Sequence, residues 1–296
     1  MNMLWFFLAL LTAVSEAAYV TTVKTYIQRI PVILYLVVTH ICMLGYMLVA
    51  LLITDGFPQH IPVLIFLFLG ITSVMDAITF PRVLAAIKQS DISLLAPLTA
   101  FNPLFTVVFA WIGLQEMPTA VHGVGILLIV LGSYLLHITE VRQGILKPFE
   151  ELIRQPGAML YLSAMFVWAL TPVLQKKAIL LTVPESPLFV SFVNISLSTL
   201  YLLPILFFVS SPQTMISVTR RFYPVFIVLG FLLFTAQYAS YTAFSLAPVA
   251  YVRAIIMLSS IFTIVAGRIV YREGRIRERV VGAVPMIGGA LLLMVS

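Results

Sequence analysis

Ten stretches of mostly apolar residues follow one another through this chain, at about 3–24, 31–53, 62–87, 92–113, 118–138, 157–178, 186–209, 223–245, 247–271 and 279–296. A helix rises about 1.5 Å per residue, so roughly 20 residues cross the ~30 Å hydrocarbon layer of a bilayer. No other feature limits the fold so tightly. In lipid, every backbone amide and carbonyl must be bonded inside the protein, which leaves helices or closed barrels. Long apolar runs separated by turn residues (TDGFPQ, QEMP, TVPESP, SSPQ, YREGR) select helices. Only 9% of the residues are charged, against about 25% in soluble domains. The expected class is an all-α polytopic membrane protein with ten transmembrane helices. The opening stretch lacks the basic region of a signal peptide and carries Glu16, so residues 3–24 read as a retained helix. Cys42 is the only cysteine, which excludes an intrachain disulfide and a cysteine-based metal site.

The longest break, HITEVRQGILKPFEELIRQP, is amphipathic. It divides the chain into residues 1–138, a connecting loop at 139–156, and residues 157–296. Each half holds five spans, and the halves repeat. At an offset of 157, Glu116 aligns with Glu273, Gly125 with Gly282 and Gly132 with Gly289. At an offset of 153, Lys24 aligns with Lys177. Two copies with an odd number of spans insert in opposite senses. That makes inverted repeats, a construction behind alternating access in many transporters.

Basic residues orient the chain. Lys24, Arg29, Arg82, Lys88, Arg142, Lys147, Arg154, Arg220, Arg221, Arg268, Arg272, Arg275, Arg277 and Arg279 fall on one side. Lys176 and Lys177 alone fall on the other. The positive-inside rule then puts both termini outside the cytoplasm, in a cell inner (plasma) membrane. The net charge of +6 is explained by contact with membrane lipids, and no nucleic-acid partner is needed.

Several motifs resemble a known family. They are SDISLLAPLTAFNPLFTVVFAWIGLQEMPTAVHGVGILLIVLGSYLL, LAPVAYVRAIIMLSSIFTIVAGRIVYREGRIRERVVGAVPMIGGALLLM and WALTPVLQKKAIL. In these the chain resembles the drug/metabolite transporter superfamily, in its ten-helix EamA-like branch. The resemblance covers nearly the whole chain. It implies a secondary transporter of two inverted five-helix repeats around a cavity lined by helices one, three, four, six, eight and nine. A second, shorter resemblance lies in SEAAYVTTVK. It is similar to helix one of the small multidrug resistance family, whose acid binds protons and cationic drugs in turn, and it bears on Glu16 alone. The sixth span has Ala169 at the equivalent place.

An ionisable group at mid-membrane is costly, by about 2.5–3.5 kcal/mol on insertion scales, and marks function by default. Counting from the non-cytoplasmic side, Glu16, His40 and Asp76 lie near ~20 Å depth and Arg253 near ~9 Å. Helical spacing lines up Trp5, Thr12, Glu16 and Tyr19 on span one. Other spans offer Thr99 and Asn102, Trp168, Thr171 and Gln175, Gln237, Tyr238 and Tyr241, and Arg253 and Met257. Span seven shows Ser191, Asn194 and Ser198, a stripe that serves interhelical hydrogen bonding as readily as ligand contact. His40 reads as a packed, hydrogen-bonded residue. Asp76 either caps a break before Pro81 or lines the cavity. Arg253 either pairs structurally or attracts a substrate anion. Pro97, Pro103, Pro172, Pro204, Pro248 and Pro285 interrupt spans, and each frees a carbonyl that needs another partner. The glycines of spans five and ten allow close packing, of the kind a homodimer seam uses.

No phosphate loop, His-x-x-x-His pair or Ser-His-acid spacing is present, so neither an enzyme nor a cofactor is expected. The reading is a proton-coupled exporter, an antiporter, of a small polar or amphipathic metabolite. Glu16 and Asp76 serve as coupling sites. Trp5, Thr12, Tyr19, Thr99, Asn102, Trp168, Thr171, Gln237, Tyr238, Tyr241, Arg253 and Met257 line the substrate cavity. Two alternatives stand beside it. One is an uncoupled facilitator of amino acids or phosphorylated metabolites with a structural Glu16–Arg253 pair. The other is a membrane scaffold without a cavity. The sequence leaves open whether the protein is a monomer or a homodimer.

Overall fold

A computed structural model describes residues 3–26, 29–54, 56–89, 96–138, 156–271 and 276–295. The chain folds into α1 (Leu4–Tyr26), α2 (Val32–Ile53), α3 (Leu64–Gln89), a 3-10 turn (Ala96–Ala100) running into α4 (Phe101–Leu114), and α5 (Ala120–Ile138). The second half repeats the order with α6 (Pro156–Leu180), α7 (Pro187–Val209), α8 (Pro212–Leu246), a divided ninth span of α9a (Val249–Ile256) and α9b (Ser259–Tyr271), and α10 (Ile276–Met294). Among the described residues, six spans (α1, α2, α6, α7, α8 and the joined ninth) are long and apolar enough to cross a membrane on their own. Shorter apolar helices at Leu64–Phe80, Leu98–Leu114, Ala120–Leu136 and Val281–Met294 complete the ten. The loop 139–156 falls almost wholly outside the described residues, as does Glu273.

Helix contacts have an exchange symmetry. α3 packs on α6 as α8 packs on α1. α4 packs on α6 as α9b packs on α1, and α2 meets α8 as α7 meets α3. α5 pairs with α10 and α2 with α7, each helix with its own counterpart. Swapping the halves leaves this pattern unchanged, as expected for two repeats related by a twofold axis.

Two elements differ from the sequence expectation. α8 begins at Pro212, well before residue 223, because Ser211 caps it by accepting from the Thr214 amide. Ser before Pro at the first helical position is a strong start signal. At 35 residues, about 52 Å by the rise per residue, α8 outruns the bilayer. It bends at Phe222 (φ −112°, ψ 15°), just ahead of Pro224. The second difference is the ninth span, which breaks at Met257–Leu258. There 3-10 bonds from Leu258 N to Ile255 O (2.9 Å) and Ser260 N to Met257 O (3.2 Å) replace the α pattern. Span four changes from 3-10 to α between Ala100 and Phe101, the same place after the 157-residue offset.

The glycine seam is internal. A Cβ at Gly132 would sit 2.5 Å from the Gly282 carbonyl oxygen, and one at Gly125 2.9 Å from that of Gly289. α5 and α10 therefore touch backbone to backbone within one chain. The close packing expected of these four glycines is present within one chain, between α5 and α10.

Candidate functional site

Midway through the bundle lies a cavity of about 360 Å³. It is walled by Glu16 of α1, Asp76 of α3, Trp168, Thr171, Pro172 and Gln175 of α6, and Asn194 and Ile195 of α7. α8 adds Leu233, Ala236, Gln237, Ser240, Tyr241 and Phe244, and α9a adds Arg253. The helices are those implied by the family resemblance with one exchange. α7 lines the cavity, while α4 contributes no wall residue among the described ones.

The sequence of α6 explains its wall. Pro172 has no amide to give the carbonyl four residues back. That carbonyl belongs to Trp168, and it accepts instead from the Thr171 hydroxyl at 2.9 Å. With its backbone so settled, Trp168 turns its indole Nε1 onto Asp76 Oδ1 at 3.1 Å. This bond fixes both the aromatic face and one oxygen of the carboxylate.

Arg253 is held from the side. Its Nη2 donates to Asn102 Oδ1 at 2.9 Å, and Asn102 Nδ2 donates to the Met165 carbonyl at 2.9 Å. Asn102 lies just past the change of helix type in span four, and Arg253 just before the break in span nine. The two discontinuous spans thus meet at a charged hydrogen bond. Arg253 Nε is buried without a partner among the described residues. A guanidinium has five N–H donors, so most of its capacity is left over.

Glu16 differs from both. Among the described residues its carboxylate has neither a hydrogen bond nor an ion pair. It interacts electrostatically with Arg253 across the cavity without touching it. The Tyr241 hydroxyl is also buried, beside the Asn194 side chain. Asn194 is fixed by α3: its Oδ1 accepts from Thr72 at 2.6 Å and Ser73 at 3.3 Å, and its carbonyl accepts from Ser73 at 3.1 Å.

Of the residues singled out in sequence, Glu16, Asp76, Trp168, Thr171, Gln237, Tyr241 and Arg253 meet at the cavity, and Asn102 reaches it through Arg253. Trp5 does not. It is buried against Phe6 and Tyr251 in the apolar core. Thr12 donates to the Leu8 and Ala236 carbonyls, tying α1 to α8. Tyr19 bonds the Tyr35 hydroxyl. Thr99 lies in the 3-10 turn, away from the wall. Tyr238 is 41% exposed and stacks on Phe234. Met257 sits at the helix break, in the core. The stripe from Trp5 to Tyr19 runs about 21 Å along α1, and of its four residues Glu16 alone reaches the cavity wall. Gln175 and Asn194 carried a legible polar signal yet stood outside the expected lining. Ser240, Ile195, Leu233 and Phe244 carried none. His40, expected to be hydrogen bonded, has its Nδ1 3.3 Å from the Thr199 hydroxyl.

Comparison with known proteins adds the family. No curated protein matches the chain. A solved structure described only as "Crystal structure of protein" shares 13% identity and a TM-score of 0.75, covering 99% of this chain and 97% of its own. At that identity the likeness speaks for the fold. A family model for EamA-like transporters matches twice, at residues 3–138 and 155–295, once for each five-helix repeat. The chain is a multi-pass membrane protein of the EamA-like transporter family.

Proposed function

We propose that the protein is a proton-coupled secondary transporter that exports a small polar or amphipathic metabolite by alternating access. Glu16 is its proton and substrate site. One observation carries this reading: of the three charged groups on the cavity wall, Glu16 alone has no bonded partner among the described residues. A carboxylate at membrane depth is costly, and natural interiors leave few polar groups unpaired. A group kept so is available to a proton or to a cationic substrate in turn. Trp168, its indole edge fixed by Asp76, offers a π face to a cation. The unused donors of Arg253 suit a carboxylate or phosphate on the same substrate. The reading places the protein in the cell inner membrane with its termini extracytoplasmic.

Glu16→Gln keeps size and hydrogen-bonding capacity while removing the titrating group. In proteoliposomes given a metabolite mixture, the variant folds, loses transport driven by a pH gradient, and loses the pH dependence of ligand binding. A stable Glu16→Gln protein that still accumulates substrate against its gradient defeats the proposal. The electrostatic interaction of Glu16 with Arg253 favours the uncoupled facilitator instead. In that case Glu16→Gln lowers thermal stability, and adding Arg253→Met restores it.

A further inference from the structure

We propose that Lys176 and Glu116 form a latch that seals one end of the cavity, and that they position Arg253 by holding the half-helix on which it stands. The inference rests on the alternating-access reading above but concerns residues outside the cavity wall.

The ion pair joins Lys176 Nζ to Glu116 Oε1 at 2.6 Å, with the side chains 9% and 17% exposed. Each partner also binds the junction between α8 and α9a. Lys176 Nζ donates to the Ala247 carbonyl at 2.7 Å, and the Val249 amide donates to Glu116 Oε2 at 2.8 Å. Ala247 ends α8 and Val249 begins α9a, so these are the backbone groups that helix termini leave unpaired. Both residues are buried. The charges also have the signs that helix dipoles favour, a cation at the end of α8 and a carboxylate at the start of α9a.

The local sequence is shaped for this contact. Span four stops at Gln115, a non-glycine residue in the left-handed region (φ 59°). Such a conformation is sparsely populated and persists where its surroundings impose it. Two residues earlier, Gly113 lets α4 approach α6, since a Cβ there would lie 2.7 Å from Val173 Cγ1. That approach brings Glu116 within reach of Lys176.

The latch lies directly beyond the cavity. Lys176 follows the wall residue Gln175, Ala247 comes three residues after Phe244, and Arg253 comes four residues after Val249. Three of the segments that wall this end therefore run into the latch within about one helical turn. Opening it frees the first turn of α9a, and with it the guanidinium that faces the substrate. Closing it returns Arg253 to Asn102.

Cavity access can be read without any transport assay. In the full-length protein carrying Cys42→Ser, Ser240→Cys places a thiol on the wall. A membrane-impermeant thiosulfonate is added from the face bearing the loop 115–119 in oriented vesicles. The paired change Lys176→Met with Glu116→Gln removes both charges together. It should raise labelling from this face at least tenfold while leaving labelling from the opposite face unchanged or slower. Unchanged labelling in a folded protein, or an equal rise from both faces, overturns the latch. If the paired variant fails to fold, Glu116→Cys with Lys176→Cys joined by a short bis-thiosulfonate replaces the ion pair covalently. Labelling of the wall thiol of a preblocked, cross-linked protein should then stay slow under every condition and recover on reduction. Cross-linked protein whose cavity still opens to this face refutes the proposal. If the latch behaves as stated but Glu16→Gln still couples to protons, the gate stands and the coupling site does not.

Discussion

The bond between Asn102 and Arg253 is the sharpest energetic test of the site. Removing Asn102 deletes two hydrogen bonds, one of them to a charged group. In soluble proteins a bond to a charged group contributes about 1.5–3 kcal/mol. Within membranes the coupling is smaller, averaging about 0.6 and reaching about 1.7 kcal/mol, because the inserted but unpacked chain finds other partners. The Arg253 guanidinium has no second hydrogen-bonded partner among the described residues, and its Nε is already unpaired there. The expected coupling therefore lies at the upper end, about 1–2 kcal/mol. The experiment is a double-mutant cycle of Asn102→Ala, Arg253→Met and both, with unfolding measured by denaturant titration in mixed micelles. The single changes should sum to more than the pair. Additivity within about 0.3–0.5 kcal/mol is what independent sites show, and that result would refute the claim that the two discontinuous spans are joined here.

Other expectations follow from the same geometry. Thr171→Val strands the Trp168 carbonyl and should lower stability by about 1–3 kcal/mol. Adding Pro172→Ala supplies an amide and should recover most of that loss in the same unfolding assay. Gly132→Ala forces α5 off α10 and should cost about 1–3 kcal/mol. Gly123→Ala and Gly288→Ala, where a Cβ meets nothing within 4 Å, should stay within about 0.5 kcal/mol, as thermal unfolding would report. In intact cells, a cysteine at residue 57 should react with impermeant thiol reagents and cysteines within 139–156 should not. The reverse pattern would invert the topology.

The parts of this architecture that depend on the solvent were legible in sequence. Lipid imposes length and apolarity on every span, so nearly all helix limits could be read from composition alone. The exceptions were local chemistry, the Ser211–Pro212 start of α8 and the 3-10 break at Met257, which no apolar pattern records. The cavity was legible where a residue type is expensive in lipid: Glu16, Asp76 and Arg253 have no ordinary reason to be there. Tyr238 and Trp5 show the limit. An aromatic side chain is equally at home facing lipid, core or ligand, and a helical stripe gives direction but not depth. Lys176 looked like a juxtamembrane charge, because sequence does not show that its neighbours in space are the unbonded ends of two helices.

The backbone contact between α5 and α10 also bears on how the chain is made. α10 is made long after α5, and Gly282 is synthesised 150 residues after the Gly132 it covers. At about 5–20 residues per second, α5 waits roughly 8–30 s with its glycine stripe turned towards lipid. Neither helix can settle on a substitute, since only a partner equally bare of side chains comes that near. The first repeat is thus inserted well before it is complete, and this seam closes only when α10 arrives.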